Sequence, residues 1–122
     1  MIYRLSAAAL AVICLAPLAR AAEISKLYEG DLPAARYDHV TVQTIGYTPG
    51  QSSPSHSHDA VIVAYVTKGR IETQVEGEPL KSLGVGESWT EMPGAHHVIC
   101  RNASATEPAE FLVMSVAPRK GG

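Results

Sequence analysis

Four of the five histidines sit in two tight clusters, His56-Ser57-His58 and His96-His97. Imidazole nitrogens are good ligands for transition metals, and residues i and i+2 of an extended strand face the same side. His56 and His58 can therefore aim two rings into one interior. A third nitrogen from His96 or His97, arriving on a neighbouring strand, would complete a three-histidine face with coordination positions open to water or substrate. The plain alternative is a polar surface loop that happens to contain histidines. Context counts against it: His56 and His58 stand just before Val61 to Thr67, a run apolar on both faces and so buried, while His97 follows Pro93-Gly94 and leads into Val98 and Ile99.

The elements that must position these clusters read as strands. His39 to Tyr47 alternates Val40, Val42 and Ile45 with polar residues, and the run from Thr48 to Ser55 breaks it with turn formers. Val61 to Thr67, a Lys68-Gly69 turn and Arg70 to Val75 read as a hairpin. Further strands are expected over Glu87 to Met92, His97 to Asn102 and Phe111 to Ala117, with a weak one around Ile24 to Leu27. No window shows a helical apolar stripe, so the domain is all-β. The 122 residues, 46% apolar and 18% charged, suit one globular domain. A formal charge of −2 provides no basic field for a phosphate backbone, which argues against nucleic-acid binding.

Met1 to Ala21 reads as a helical signal peptide: Arg4 supplies the positive region, Leu5 to Ala19 is uncharged and mostly apolar, and Ala19-Arg20-Ala21 offers small residues at the cleavage site. The mature domain is expected to cover 22–122 and to be periplasmic or secreted. The apolar run is shorter than the roughly 20 residues that span a bilayer, so no lasting membrane anchor is expected. Cys14 follows Ile13 where a lipid-attachment site wants a small residue, which disfavours lipidation. Cleavage leaves Cys100 as the single cysteine, unable to form an intramolecular disulfide.

The histidine clusters and their flanks resemble the cupin superfamily. The first cupin motif, G-x5-H-x-H-x3-E-x6-G, falls on Gly50, His56, His58, Ile62 and Gly69 with every spacing kept. The second, G-x5-P-x-G-x2-H-x3-N, falls on Gly86, Met92, Gly94, His97 and Arg101. The resemblance covers a motif core of 38–117, and the chain is most similar to small exported single-domain bacterial cupins of the conserved-barrel (cupin 2) type. It implies a small antiparallel jelly-roll barrel, a double-stranded β-helix, with a site in its interior. It also implies a divalent transition metal (zinc, iron, copper, nickel or manganese) held by His56, His58 and His97, with His96 as a neighbour.

Three departures from the motifs stand out: Ile62 replaces the glutamate ligand, Met92 a turn proline, and Arg101 the asparagine, beside Asn102. Without the glutamate, hard cations lose more than softer ones, and the pocket is expected to be less anionic than usual. Glu91 could restore a carboxylate directly or through water, or could lie at a barrel rim. By i+2 alternation Arg101 shares the face of His97, to meet an anionic substrate group or a surface acid; Cys100 falls on the opposite face, which argues against a cysteine–histidine nucleophile. Tyr65 and Trp89 either line the cavity or pack, and His39 stands far from both clusters. The expected functions are a metal-dependent enzyme of small molecules, with oxygenase, isomerase or hydrolytic chemistry, or a non-catalytic module that holds a small ligand or metal. Exposed edge strands of such barrels often pair, which makes a homodimer a further expectation.

Overall fold

The computed structural model describes residues 21–120, so the expected signal segment, Met1 to Ala21, lies outside the described residues except for Ala21. Eight strands follow in order: β1 (His39–Tyr47), β2 (His56–Ser57), β3 (Val61–Lys68), β4 (Arg70–Val75), β5 (Lys81–Gly84), β6 (Ser88–Glu91), β7 (His96–Asn102) and β8 (Ala109–Ala117). They pair antiparallel into two four-stranded sheets, β1-β8-β3-β6 and β2-β7-β4-β5, which make a jelly-roll barrel. No helix occurs among the described residues.

The alternation of apolar residues explains which face each strand buries. Ile62, Ala64 and Val66 of β3 point inward with Phe111 and Val113 of β8, Trp89 of β6 and Ile71 of β4, and together they form the core between the sheets. Ala64, Val66 and Ile71 are inaccessible to solvent. Full burial of a side chain the size of Val66 or Ile71 is worth about 1.5–3 kcal/mol. Val63 and Tyr65, on the other face of β3, border a shallow outer depression with Leu112, Met114 and Leu27. Tyr65 thus lies outside the barrel, and the segment around Ile24 to Leu27 forms no strand.

The Lys68-Gly69 turn is not a hairpin. β3 pairs with β6 and β8, whereas β4 pairs with β5 and β7, so the chain changes sheets at Gly69. Gly69 has φ +69°, and a Cβ there would stand 2.6 Å from the Pro108 carbonyl oxygen. Only glycine fits this corner without strain. A second departure is β5, a short strand contributing the buried Leu83, which pairs with Ile71.

The third departure matters for the site. Val75 pairs with His97 and Gln74 with Ile99, leaving Val98 as an extra residue, a β-bulge. The bulge reverses the alternation along β7. His97, Cys100 and Asn102 are all buried, while Ile99 and Arg101 turn toward the outer side.

Candidate metal centre

The segment after β1 runs back along β7 and delivers the first histidine cluster. Ser53 N–H donates to Cys100 O at 2.9 Å, Ser52 bridges Arg101, and His56 pairs with His97. Directly opposed residues of antiparallel strands share a face, so this register sets His56 beside His97. His58 is fixed from the other side: Gly94 N–H donates to His58 O at 2.8 Å within the Pro93-Gly94 turn, where Gly94 has φ +81°. The His56 ring centre is 4.5 Å from that of His58 and 5.2 Å from that of His97.

All three rings line a cavity of about 220 Å³ between the sheets. Ile45, Tyr47, Ile62, Trp89, Phe111 and Val113 give it an apolar wall, Glu91 and Cys100 complete the inner surface, and Thr41, Gln43, Ser53 and Ser115 add neutral polar groups. Neither lysine nor arginine is among the lining residues.

A chain of polar contacts orders the cavity wall. His56 Nδ1–H donates to Pro54 O at 2.8 Å, which leaves the Nε2 lone pair free. Trp89 Nε1–H donates to Glu91 Oε1 at 3.0 Å, and the same oxygen stands 3.0 Å from His97 Nδ1. Facing a carboxylate, Nδ1 carries the ring proton, so Nε2 accepts from the Thr73 hydroxyl at 2.7 Å. Glu91 and His97 are 5% and 4% exposed, and Glu91 Oε2 is buried without a hydrogen-bond partner. Burial pushes the His97 imidazole below its ordinary value; the Glu91 carboxylate opposes the shift, while His56 and His58 add to it.

The structure brings His56, His58, His97, Ile62, Glu91 and Trp89 to one cavity. His96 points elsewhere, with Nδ1 3.4 Å from Glu76 Oε2 and the side chain about half-exposed. Arg101 does not reach the cavity either: the Val98 bulge turns it outward, where Nε and a terminal nitrogen each lie 2.6 Å from Glu72 Oε2. The same bulge corrects the placement of Cys100, which shares the inner side with His97 beside Tyr47. Asn102 takes an inward position but serves the loops: its Nδ2 donates to Thr48 O and Glu107 O, and its Oδ1 accepts from Ser104 N. Ile62 stands beside the histidines as expected, yet the pocket is not short of a carboxylate, because Glu91 is its cross-strand partner. Thr73 gave no sign in the sequence; an isolated threonine in a strand looks like any β-branched residue.

The donor set suits a divalent transition metal. Two imidazoles on one ion, at about 2.1 Å per bond, place their ring centres roughly 4.6–5.3 Å apart for bond angles of about 90–109°, close to the spacings seen here. The orphaned Glu91 oxygen and the free Nε2 of His56 are further donors of the right kind. Among the described residues, however, no three histidine, cysteine or carboxylate side chains close around one point as they stand. His97 Nε2 is bonded to Thr73 and would have to exchange that hydroxyl for the ion.

A family profile described as "Cupin domain" matches residues 43–115. A search of curated proteins returned no match. Among solved structures, the chain is similar to the DMSP lyase DddQ from Ruegeria pomeroyi, with TM-score 0.60 and 22% identity over 70% of this chain and 42% of the lyase. It is also similar to an oxalate oxidase in complex with the substrate analogue glycolate, with TM-score 0.59 and 22% identity over 67% of this chain and 44% of that one. A double-stranded β-helix protein from Klebsiella pneumoniae matches with TM-score 0.58 and 24% identity, covering 67% of this chain and 70% of its own. The chain thus spans under half the length of the lyase and the oxidase. With its two sheets, its histidine clusters and the family profile in agreement, the chain belongs to the cupin family.

Proposed function

We propose that this cupin binds one divalent transition metal through His56, His58 and His97, and that it acts there on a small molecule held in the cavity. The observation that carries this reading is that the three imidazoles line one mostly apolar cavity, with the His56 ring centre 4.5 Å from that of His58 and 5.2 Å from that of His97. When bound, such an ion supplies Lewis-acid or redox chemistry, which suits an oxygenase, an isomerase or a hydrolytic enzyme. The protein's own contribution is orientation and an apolar wall. Pro54 O fixes the His56 ring, Trp89 and Glu91 fix His97, and Phe111, Trp89 and Val113 line the space with apolar surface. Two fold neighbours are by name a lyase and an oxidase, which supports a catalytic use of the scaffold. The segment Met1 to Ala21 supports export, with the mature chain beginning at Ala22 in the periplasm or outside the cell.

The engagement of His97 with Thr73 favours a second reading, a non-catalytic module that holds a small ligand. Metal analysis of untagged protein recovered from the exported fraction separates the two. A stoichiometric redox metal, lost on His58→Ala, supports the enzyme; exported protein without bound metal supports the ligand-holding module. N-terminal sequencing of the same material tests the export proposal, and retention of residues 1–21 in a soluble product defeats it.

A further inference from the structure

We infer that Arg36, Tyr37 and Asp59 form a latch that positions His58 in the cavity wall. This inference rests on the proposed metal site and adds to it three positioning residues, none of which lines the cavity.

The three cavity histidines differ in how their rings are held. His56 donates Nδ1–H to Pro54 O, and His97 is fixed between Glu91 and Thr73. The His58 ring makes no such bond among the described residues, and His58 is exposed, so packing does not lock it either. A histidine ligand is normally oriented by a partner on its far side. For His58 that task falls to the backbone that carries it.

That backbone is clamped at two adjacent points. Gly94 N–H donates to His58 O at 2.8 Å, and the next side chain, Asp59, is gripped by the segment that precedes β1. Tyr37 Oη–H donates to Asp59 Oδ1 at 2.6 Å, and Arg36 Nη1–H donates to Asp59 Oδ2 at 2.8 Å. Arg36 Nη2 lies 3.0 Å from Tyr37 Oη, and the guanidinium stands over the Tyr37 ring, 4.6 Å from its centre. Tyr37 is 4% exposed and is the one buried residue between positions 21 and 40. A segment otherwise in solvent is thus pinned at a single place, and that place is the residue after His58. The Arg36–Asp59 ion pair is exposed and contributes little by itself. The tyrosine hydroxyl on a carboxylate is the stronger, charge-assisted bond, with Arg36 ordering both of its partners. Arg36, Tyr37 and Asp59 border one surface depression with His58, Pro93 and Gly94, so both clamps meet at the same corner of the barrel.

The test uses the full chain and follows cobalt by titration, with the visible spectrum at saturation reporting the ligand set. Asp59→Ala removes both acceptors of the latch, and Tyr37→Phe removes only the hydroxyl; melting curves confirm that each variant folds. Each should lose about tenfold or more in cobalt affinity and show an altered spectrum at saturation. Asp59→Asn keeps an acceptor for Tyr37 Oη–H and should recover most of the affinity and the original spectrum. Cobalt binding by Asp59→Ala within twofold of the unsubstituted chain would overturn the inference. So would a weakened variant whose saturated spectrum is unchanged, because Asp59 would then support the fold and not the ligand. Asp59→Asn as weak as Asp59→Ala would count against it equally. In these cases the three-histidine proposal stands. If the unsubstituted chain takes up no cobalt, the metal site itself fails and the inference falls with it.

Discussion

Thr73→Val should make the protein less stable without metal and tighter-binding with it. Valine keeps the shape of the side chain and removes the hydroxyl that bonds His97 Nε2 at 2.7 Å. Thr73 is 2% exposed, and without its hydroxyl the buried ring nitrogen loses its protein partner. Leaving such a group unsatisfied costs about 1–3 kcal/mol. For a domain near 100 residues that lowers the melting midpoint by roughly 5–20 °C. In the unsubstituted chain a metal must first break this same bond, whose net worth is about 0.5–1.5 kcal/mol. At about 1.4 kcal/mol per factor of ten, Thr73→Val should bind zinc roughly 2–10-fold more tightly. Thermal melts of chelator-treated protein and a zinc competition titration read the two effects separately. Equal melting midpoints would show that the bond does not hold the wall together. Weaker zinc binding would show that the hydroxyl supports the metal site instead of competing with it.

Gly69→Ala should destabilise the fold by about 1–3 kcal/mol, because it combines a positive φ with a Cβ driven against the Pro108 carbonyl; urea unfolding with an unchanged midpoint would refute the corner argument. Stability of metal-free protein should fall as pH drops below about 6.5: the unfolded chain protonates this imidazole at its ordinary value, whereas buried His97 resists, so its contribution is present above 6.5 and lost on acidification toward its depressed value. Urea midpoints from pH 7.5 to 5 for the protein and for His97→Gln check this, and an equally steep fall in both would place the effect elsewhere. Burial pushes the Cys100 thiol up to about 11, so a disulfide reagent at pH 8 should label it slowly in native protein and rapidly in denaturant. Full labelling of native protein within minutes would contradict that burial.

Much of this arrangement could be read from residue pattern because alternation is a local property. β1 and β4 occupy the expected residues, and β3, β7 and β8 differ from expectation by one or two residues at their ends. The two histidine clusters pointed to the cavity because each stands at the mouth of a core strand, although H-x-H alone fits a polar surface loop equally well. What escaped was everything that depends on partner strands. Lys68-Gly69 carries the same local signal for a hairpin and for a change of sheet, and only the pairing of β3 with β8 and β4 with β7 decides between them. The Val98 bulge is one residue counted against β4, so alternation along β7 placed Cys100 and Arg101 on the wrong faces. β5 is too short to alternate visibly. Glu91 shares Trp89's inward face, but its register with Ile62, and hence its meaning, is a property of the sheet.

Whether His56, His58 and His97 hold one metal ion inside the barrel can be seen directly in a crystal. Anomalous diffraction from crystals soaked in zinc, recorded on both sides of the absorption edge, locates such an ion directly. A single cavity peak is predicted, about 2.0–2.2 Å from a nitrogen of each of the three histidines, with His97 Nε2 released from Thr73. No cavity peak, or a peak only at His96 and Glu76 on the surface with the His97–Thr73 bond intact, would contradict the account.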